Sequence, residues 1–400
     1  MHISRRSALI AGGALAAPLA LSGATAALAA HSPSTAPSAA DRYKPLPIGL
    51  LVDVSGPTSV HGQRQRLGAE YMARQLNAAG GRRPVELVFA DTGGNPKTAL
   101  TAVRKLIAGG VRAIVGTSTP QTFEIAVAEA EKARIPIVTP LGGGLKPPAS
   151  KYAFRTGGSA VHISSVILSG LRQRGLKKLA VLYPDVKIAD ELEAELRRQA
   201  KTAGVEIVAV GRVTEGAKDV KPSLRPLLKA DPDALMLWVV PPYNGLAAKA
   251  ARELGWEGPL YLSPSGAHPK FFTAAGEAAE GVRAVAPWSV IADSAPALLP
   301  NRELLREFAA GFQKEHGPLG SYVSYGADAV GILSEAFTLA GDEGRALHTL
   351  ERMAYVGVTG VYRMRPDNHA GLLPGALTMA IGHKGGWVRD EKFATDPKKA

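Results

Sequence analysis

The stretch Pro47–Gly62, PIGLLVDVSGPTSVHG, combines a strand, a tight turn and the start of a helix. Ile48–Val54 is a nearly continuous apolar run, which is typical of a strand buried on both faces of a parallel sheet. Polar turn residues follow it, and apolar residues then recur at helical spacing to about Ala79. In open α/β sheets, ligands sit at the carboxyl ends of strands, against the following helices. The stretch therefore predicts an α/β fold with a ligand-binding corner at Ser55–Gly62.

Strands and helices alternate twice along the chain, which indicates two doubly wound lobes with parallel sheets. At 400 residues, 46% of them hydrophobic, the chain is long enough for two cores. We assign 46–158 plus 287–370 to lobe 1 and 159–286 plus 371–400 to lobe 2. The predicted strands after the first one are Val85–Asp91, Val111–Gly116, Ile135–Thr139, Lys178–Tyr183, Val205–Val213, Ala234–Val240, Pro259–Ser263 and Ala376–Ile381.

Residues 1–30 have the features of an export signal. Arg5-Arg6 precedes an uncharged run rich in Ala, Gly and Leu, and Ala27-Leu28-Ala29 is an A-x-A cleavage motif. The paired arginines favour the Tat route, with an ordinary Sec signal as the alternative. Residues 31–45 are a polar spacer. The chain contains no cysteine, so neither a disulfide nor a lipid-modified cysteine can form. These features predict a soluble monomer in the periplasm without a stable membrane anchor.

The charge balance and the motifs exclude several classes of function. The net charge is +12, and without Arg5 and Arg6 it is +10, but no basic block is interleaved with aromatic residues. Nucleic acid is therefore not an expected partner, and the basic surface suits an anionic ligand or an acidic partner. Motifs of serine hydrolases, zinc proteases, P-loop proteins and dinucleotide-binding folds are missing. The histidines lack metal-ligand spacing, so we predict no cofactor and place His61 and His268 at the surface or the cleft rim.

The chain resembles the type I periplasmic solute-binding proteins of ABC importers, in the branch that binds branched-chain amino acids. Each matching piece is weak alone, but the pieces occur in the family's order. They are Ser55-Gly56-Pro57 with Gly62, Leu76–Gly81, Val88–Asp91 with Asn95-Pro96, Val111–Gly116, Ile135–Pro140, Tyr152–Thr156, Glu280–Val282 and Tyr325–Val330. The resemblance implies two Rossmann-like lobes joined by three crossover strands, which close on a small solute without catalysis. It also implies an ABC permease and its ATPase as partners.

The resemblance implies a solute site at the corners of lobe 1, but two of the family's hydroxyl positions are replaced. The family's serine after the third strand falls on Pro120, and its threonine after the fourth falls on Gly143. Neighbouring polar side chains and bare backbone N–H groups could substitute for them. The expected ligand-binding residues of this lobe are Ser55, Thr58, Ser118, Thr119, Gln121, Leu141, Gly142 and Gly143. For Ser55 and Thr58, capping of the first helix is an alternative role.

In lobe 2, Ser265 occupies the position of the family's ammonium-binding glutamate, and the wall tyrosine falls on Val240 or Pro241. Tyr183 could stack on the solute or pack under the crossover between the lobes, and Trp238 is more typical of a core residue. A serine cannot neutralise a buried ammonium group. We therefore expect an uncharged or singly anionic organic solute rather than a zwitterionic amino acid.

Three alternatives remain open from the sequence. The protein could present its solute to a signalling partner instead of a permease. It could be an exported hydrolase that uses Ser118 or Ser265 beside His268. It could also be a scaffold that has lost its solute.

Overall fold

The computed structural model describes residues 44–394, apart from 57, 143–149, 215 and 342. The predicted signal segment 1–30, most of the spacer 31–45, and Gly143 lie outside the described residues. Within the described ranges, none of the helices has both the length and the apolar character that crossing a membrane requires.

Lobe 1 is built around a five-stranded sheet in which every neighbouring pair of strands is parallel. The strand order is β2 (Val85–Asp91), β1 (Leu46–Val52), β3 (Ala113–Gly116), β4 (Ile137–Thr139) and β5 (Ala153–Arg155). Leu50 of the first strand lies opposite Phe89 on one side and Val115 on the other. The elements are β1 (Leu46–Val52), α1 (Ser59–Ala79), β2 (Val85–Asp91), α2 (Pro96–Ala108), β3 (Ala113–Gly116), α3 (Pro120–Ala133), β4 (Ile137–Thr139) and β5 (Ala153–Arg155).

Lobe 2 continues the alternation of helix and strand after the chain leaves β5. Its first elements are α4 (Ala160–Arg172), β6 (Lys178–Pro184), α5 (Ile188–Ala203), β7 (Glu206–Val213), α6 (Lys221–Lys229), β8 (Ala234–Leu237), α7 (Tyr243–Glu253), β9 (Leu260–Leu262), α8 (Pro269–Ala275) and β10 (Arg283–Pro287). A 3-10 turn, Pro264–Gly266, connects β9 to α8.

The rest of the chain returns to lobe 1 and then completes lobe 2. These elements are α9 (Arg302–His316), α10 (Ser321–Ala340), α11 (Ala346–Leu350), β11 (Ala354–Val356), β12 (Val361–Arg363), β13 (Leu377–His383) and β14 (Gly386–Arg389). The sheet of lobe 2 has the order β14-β13-β10-β9-β8-β6-β7, with β13 antiparallel to both of its neighbours. The chain thus passes between the sheets three times, after β5, after β10 and before β13, which confirms the predicted two-lobed α/β fold.

Each sheet is covered on both faces, because successive side chains of a strand point to opposite sides. In β1, Leu50 and Val52 pack in the core on the α1 side, whereas Leu51 packs with Val103 and Phe123 of α2 and α3. In β6, Val181 faces α4 and α5. The near-continuous apolar runs that predicted parallel strands are therefore explained by burial on two faces.

Candidate functional site

Three corners of lobe 1 are joined by one buried side chain, Gln65 of α1. Its Oε1 accepts a hydrogen bond from Ser118 Oγ (2.5 Å), and its Nε2 donates to Pro140 O (3.1 Å). Ser118 Oγ also accepts from the Asp53 backbone N–H (3.0 Å), so the loops after β1, β3 and β4 are held together. The hydroxyl of Ser118 is therefore occupied by the protein itself. The sequence analysis missed Gln65. The feature that could have revealed it is a polar glutamine on the buried face of an amphipathic helix.

The corner after β1 is organised by the buried carboxyl of Asp53. Its Oδ2 accepts from Thr58 Oγ1 (2.7 Å), and its Oδ1 accepts from the hydroxyl of Thr92. Burial raises the pKa of Asp53, and these hydrogen bonds oppose the shift. Ser55 is exposed and hydrogen-bonds to Asp91, and the pKa of Asp91 is lowered because such bonds outweigh its burial. Thr58 is the N-cap residue of α1, but its side chain makes no cap hydrogen bond.

The other predicted residues of lobe 1 differ in exposure. Thr119 is the N-cap of α3, where its side chain accepts from the Thr122 backbone N–H (3.5 Å), and Gln121 is exposed. Leu141 and Gly142 are half-buried after β4. A Cβ placed on Gly142 would lie 3.3 Å from Gly158 O and 3.8 Å from the ring of Tyr325. The loop after β4 thus lies against α10 and the first passage between the lobes.

In lobe 2, Tyr183 and Trp238 form part of the core. Their ring centroids are 5.7 Å apart, and the guanidinium of Arg212 lies 5.2 Å from the centroid of Tyr183. Tyr183 is fully buried, which raises the pKa of its hydroxyl, and both rings pack in the layer beneath α4 and α5. Tyr183 therefore packs within lobe 2, and its contact with a solute stays a prediction.

Ser265 connects two strand ends of lobe 2. Its Oγ lies 2.8 Å from Ser263 Oγ and donates to Val239 O (3.3 Å), next to the half-buried Val240 and Pro241. The predicted residues Val240, Pro241 and Ser265 are therefore neighbours. Contact of any predicted residue with a solute stays a prediction.

His61 and His268 are both buried, so their prediction as surface or rim residues was wrong. Each is 4% exposed. The ring of His61 stacks on Tyr322 of α10 at 4.4 Å, and burial lowers the pKa of His61 to about 4. Burial also lowers the pKa of His268 to about 3, with further lowering by the charges of Arg64, His61 and Lys270. The sequence did not reveal this burial, because segments distant along the chain cover both rings.

The site contains no arrangement for hydrolysis within the described residues. Ser118 donates to Gln65 and Ser265 donates to Val239, so neither hydroxyl is activated by a histidine. The described part of the chain also has no cluster of three or more His, Cys, Asp or Glu side chains that could hold a metal ion.

Comparisons with known proteins agree with a binding protein. The Leucine-, isoleucine-, valine-, threonine-, and alanine-binding protein of Pseudomonas aeruginosa is 27% identical over 310 residues, covering 76% of this chain and 80% of that protein. The Leu/Ile/Val-binding protein of Escherichia coli K12 is 23% identical, covering 69% of this chain and 74% of its own.

Solved structures share the fold. An extracellular ligand-binding receptor from Rhodopseudomonas palustris HaA2 has a TM-score of 0.79 at 19% identity, covering 88% of this chain and all of that one. The branched-chain amino acid transporter substrate binding protein LivJ from Streptococcus pneumoniae, in complex with isoleucine, has a TM-score of 0.75 at 22% identity, covering 86% and 98%.

The family model described as "Periplasmic binding protein" matches residues 45–384. This family consists of solute-binding proteins, not enzymes, which removes the hydrolase alternative. Since the match spans well over half of the sequence, the chain belongs to the periplasmic binding protein family.

Proposed function

We propose that the mature protein binds a small organic solute between its two lobes in the periplasm and delivers it to an ABC permease and its ATPase. Family membership and the two α/β lobes support this role, since ligands bind at the carboxyl ends of strands and hinge closure can enclose them. In this proposal residues 1–30 direct export, the protein acts as a monomer, and the lobes are 46–158 plus 287–370 and 159–286 plus 371–400.

We further propose that the solute is uncharged or singly anionic and carries no ammonium group. The observation that carries this proposal is Ser265, a neutral side chain at the position where the resemblance implies an ammonium-binding glutamate. Its hydroxyl is engaged with Ser263 and Val239 O. Placing an ammonium group in a desolvated cleft without a counter-charge costs several kcal/mol, so a zwitterion would bind poorly.

Asp185 is an acidic residue at the carboxyl end of a lobe-2 strand. It follows β6, is exposed, and accepts a long hydrogen bond from Thr214 Oγ1 (3.5 Å). An exposed carboxylate interacts weakly with a charge because water screens it. It therefore does not replace a buried glutamate as a partner for ammonium. The curated relatives are named for the amino acids they bind, but their identities of 23–27% leave room for a changed solute.

Matched pairs of compounds test the solute class directly. We expect 4-methylpentanoate to bind more tightly than leucine, and 3-phenylpropanoate more tightly than phenylalanine, by tenfold or more, which is about 1.4 kcal/mol. Thermal-shift screening at pH 7.5 identifies binders, because a ligand of the folded form raises the melting temperature, and calorimetry then measures affinity. Tight binding of leucine would overturn the proposed class. If that binding were lost in Asp185→Asn but kept in Asp367→Asn, Asp185 would be the missing counter-charge.

A further inference from the structure

The beginning of α10, in lobe 1, contacts the segment between β9 and α8 in lobe 2. Ser321 Oγ donates a hydrogen bond to Pro264 O (2.9 Å). A Cβ placed on Gly320 would lie 3.4 Å from Cδ2 of His268 and 3.5 Å from Ala267 O. The imidazole of His268 is therefore packed at the boundary between the lobes.

The neutral form of His268 has a defined tautomer in this position. Its Nδ1 accepts a hydrogen bond from the Lys270 backbone N–H (3.0 Å) at the start of α8, so the ring proton lies on Nε2. Within the described part of the chain, buried Nε2 has no hydrogen-bond partner. Protonation of Nδ1 would break the hydrogen bond from the Lys270 N–H group. It would also leave a positive charge on a ring whose Nε2–H has no acceptor among the described residues.

The charges around His268 are positive on both sides of the boundary. Its own segment carries Lys270, and α1 contributes His61 and Arg64, all of which disfavour the imidazolium. Tyr322 of α10 is also titratable, and its ring stacks on His61. Arg64 lies over the ring of Phe312 in α9, and that ring contacts His316, which is next to Glu315. Glu315 is held 2.6 Å from Arg74, so its charge is already neutralised by that pair.

We propose that protonation of His268 separates the two lobes, so that acidification opens the solute cleft. This proposal rests on the proposed closure of the lobes around a solute. A charged imidazole without an acceptor, beside Arg64 and Lys270, is costly when buried, whereas in an open form the ring would meet water. Closing of the lobes around the neutral ring would therefore release a proton from His268.

The direction and size of the effect follow from linkage. With the lobes in contact as in this structure, burial lowers the pKa of His268 to about 3, and a solvated histidine has a pKa near 6.5. The closed form therefore binds fewer protons, and its population relative to the open form falls as the pH drops below 6.5. Between pH 7.5 and pH 5.0 the ratio of closed to open is expected to fall about 30-fold for this one histidine.

Spin-label distances measure this opening without a known solute. Because the chain has no cysteine, Thr101→Cys on α2 and Lys201→Cys on α5 create two unique attachment sites, both exposed, one on each lobe. In the purified chain we expect the longer distance to gain population at pH 5.0 relative to pH 7.5. An unchanged distribution at the two pH values overturns the proposal.

Two variants and one control assign the effect to this cluster. His268→Asn keeps a side chain that can cap α8 but cannot be protonated, so its distances should no longer respond to pH. His61→Gln removes the neighbouring imidazole, which is neutral between pH 5.0 and 7.5 because burial lowers its pKa to about 4, so this variant should still open at pH 5.0. His348→Gln, on the exposed face of α11, should behave like the unmodified chain. An equal pH response in His268→Asn and the unmodified chain would exclude the mechanism. The solute screen at pH 7.5 gives a separate result, so failure of one proposal does not decide the other.

Discussion

Asp328 of α10 shows how a single buried carboxyl secures a distant segment. Its oxygens accept hydrogen bonds from the backbone N–H groups of Val358 (2.6 Å) and Thr359 (2.8 Å) and from the hydroxyl of Tyr362 (2.9 Å). Burial raises the pKa of Asp328 to about 6, with these hydrogen bonds opposing the shift. These contacts explain Asp328, which lies within the segment Tyr325–Val330 that carries part of the family resemblance, as a structural anchor.

Asp328→Asn tests that anchor. The amide keeps one acceptor oxygen but directs its NH₂ group at a backbone N–H, so at least one buried donor loses its partner. We expect a loss of about 1–3 kcal/mol in the free energy of unfolding, measured by urea denaturation. Asp367→Asn is the control, because the Asp367 side chain is 75% exposed and should change stability by less than about 0.5 kcal/mol. Equal stability of the two variants would contradict the assigned role.

The sequence located the corners of the site better than it assigned the roles of individual side chains. Ser118 and Ser265 do lie at strand ends, since strand periodicity and turn residues are local signals. Their hydrogen bonds to Gln65 and Val239 involve partners far along the chain, which no local pattern encodes. The same reason explains His61 and His268, whose burial depends on which segments cover them.

At the scale of elements, the helices α1 and α10 pack very closely, and a glycine lies at the contact on each helix. A Cβ on Gly68 would lie 2.0 Å from Val323 O, and one on Gly326 would lie 2.2 Å from Gln65 O. Both distances are far below van der Waals contact, so these glycines set the separation of the helices. Gln65, which joins the corners of lobe 1, lies within this same contact.

Gly68→Ala should push the two helices apart. Overpacking of a well-packed core costs about 1–3 kcal/mol or more, and thermal unfolding should show a lower melting temperature. Gly386→Ala is the matched control, because the atom nearest to its added Cβ, His383 O, would lie at an ordinary 3.9 Å. A Gly68→Ala protein as stable as the control would mean that the helices can separate freely.

Most elements could be predicted from the sequence, and the errors are at their ends. The strand predicted over Val111–Gly116 begins at Ala113, and the one predicted to end at Ile381 continues to His383. There β13 forms a hairpin with β14 and runs antiparallel to β10. Strand direction at the edge of a sheet depends on the path of the returning chain, which apolar periodicity does not contain.

For the whole molecule, the buried titratable groups make stability depend on pH. His61 has a folded pKa of about 4, below its ordinary 6.5, so its contribution is complete above pH 6.5 and is lost as the pH falls towards 4. Asp328 acts in the opposite sense, because its raised pKa lowers stability as the pH rises from 3.8 to about 6. The two groups partly cancel between pH 4 and 6.

His61→Gln should make the pH dependence of stability weaker. Removing one group that takes up a proton on unfolding flattens the slope by up to about 1.4 kcal/mol per pH unit within this window. Urea denaturation at intervals between pH 4.5 and 6.5 measures the slope, and His348→Gln serves as the exposed control. An unchanged slope in His61→Gln would show that the ring titrates normally in the folded protein.

The packing of α1 on α10 also has a consequence for biosynthesis. A ribosome produces α1 more than two hundred residues before the helix that covers it. Until then the growing chain exposes an apolar helix face and an incomplete first sheet, a condition that invites aggregation. Nascent chains that stop before residue 321 should therefore need a chaperone to stay in solution, and polypeptides released at that length should be degraded rather than accumulate.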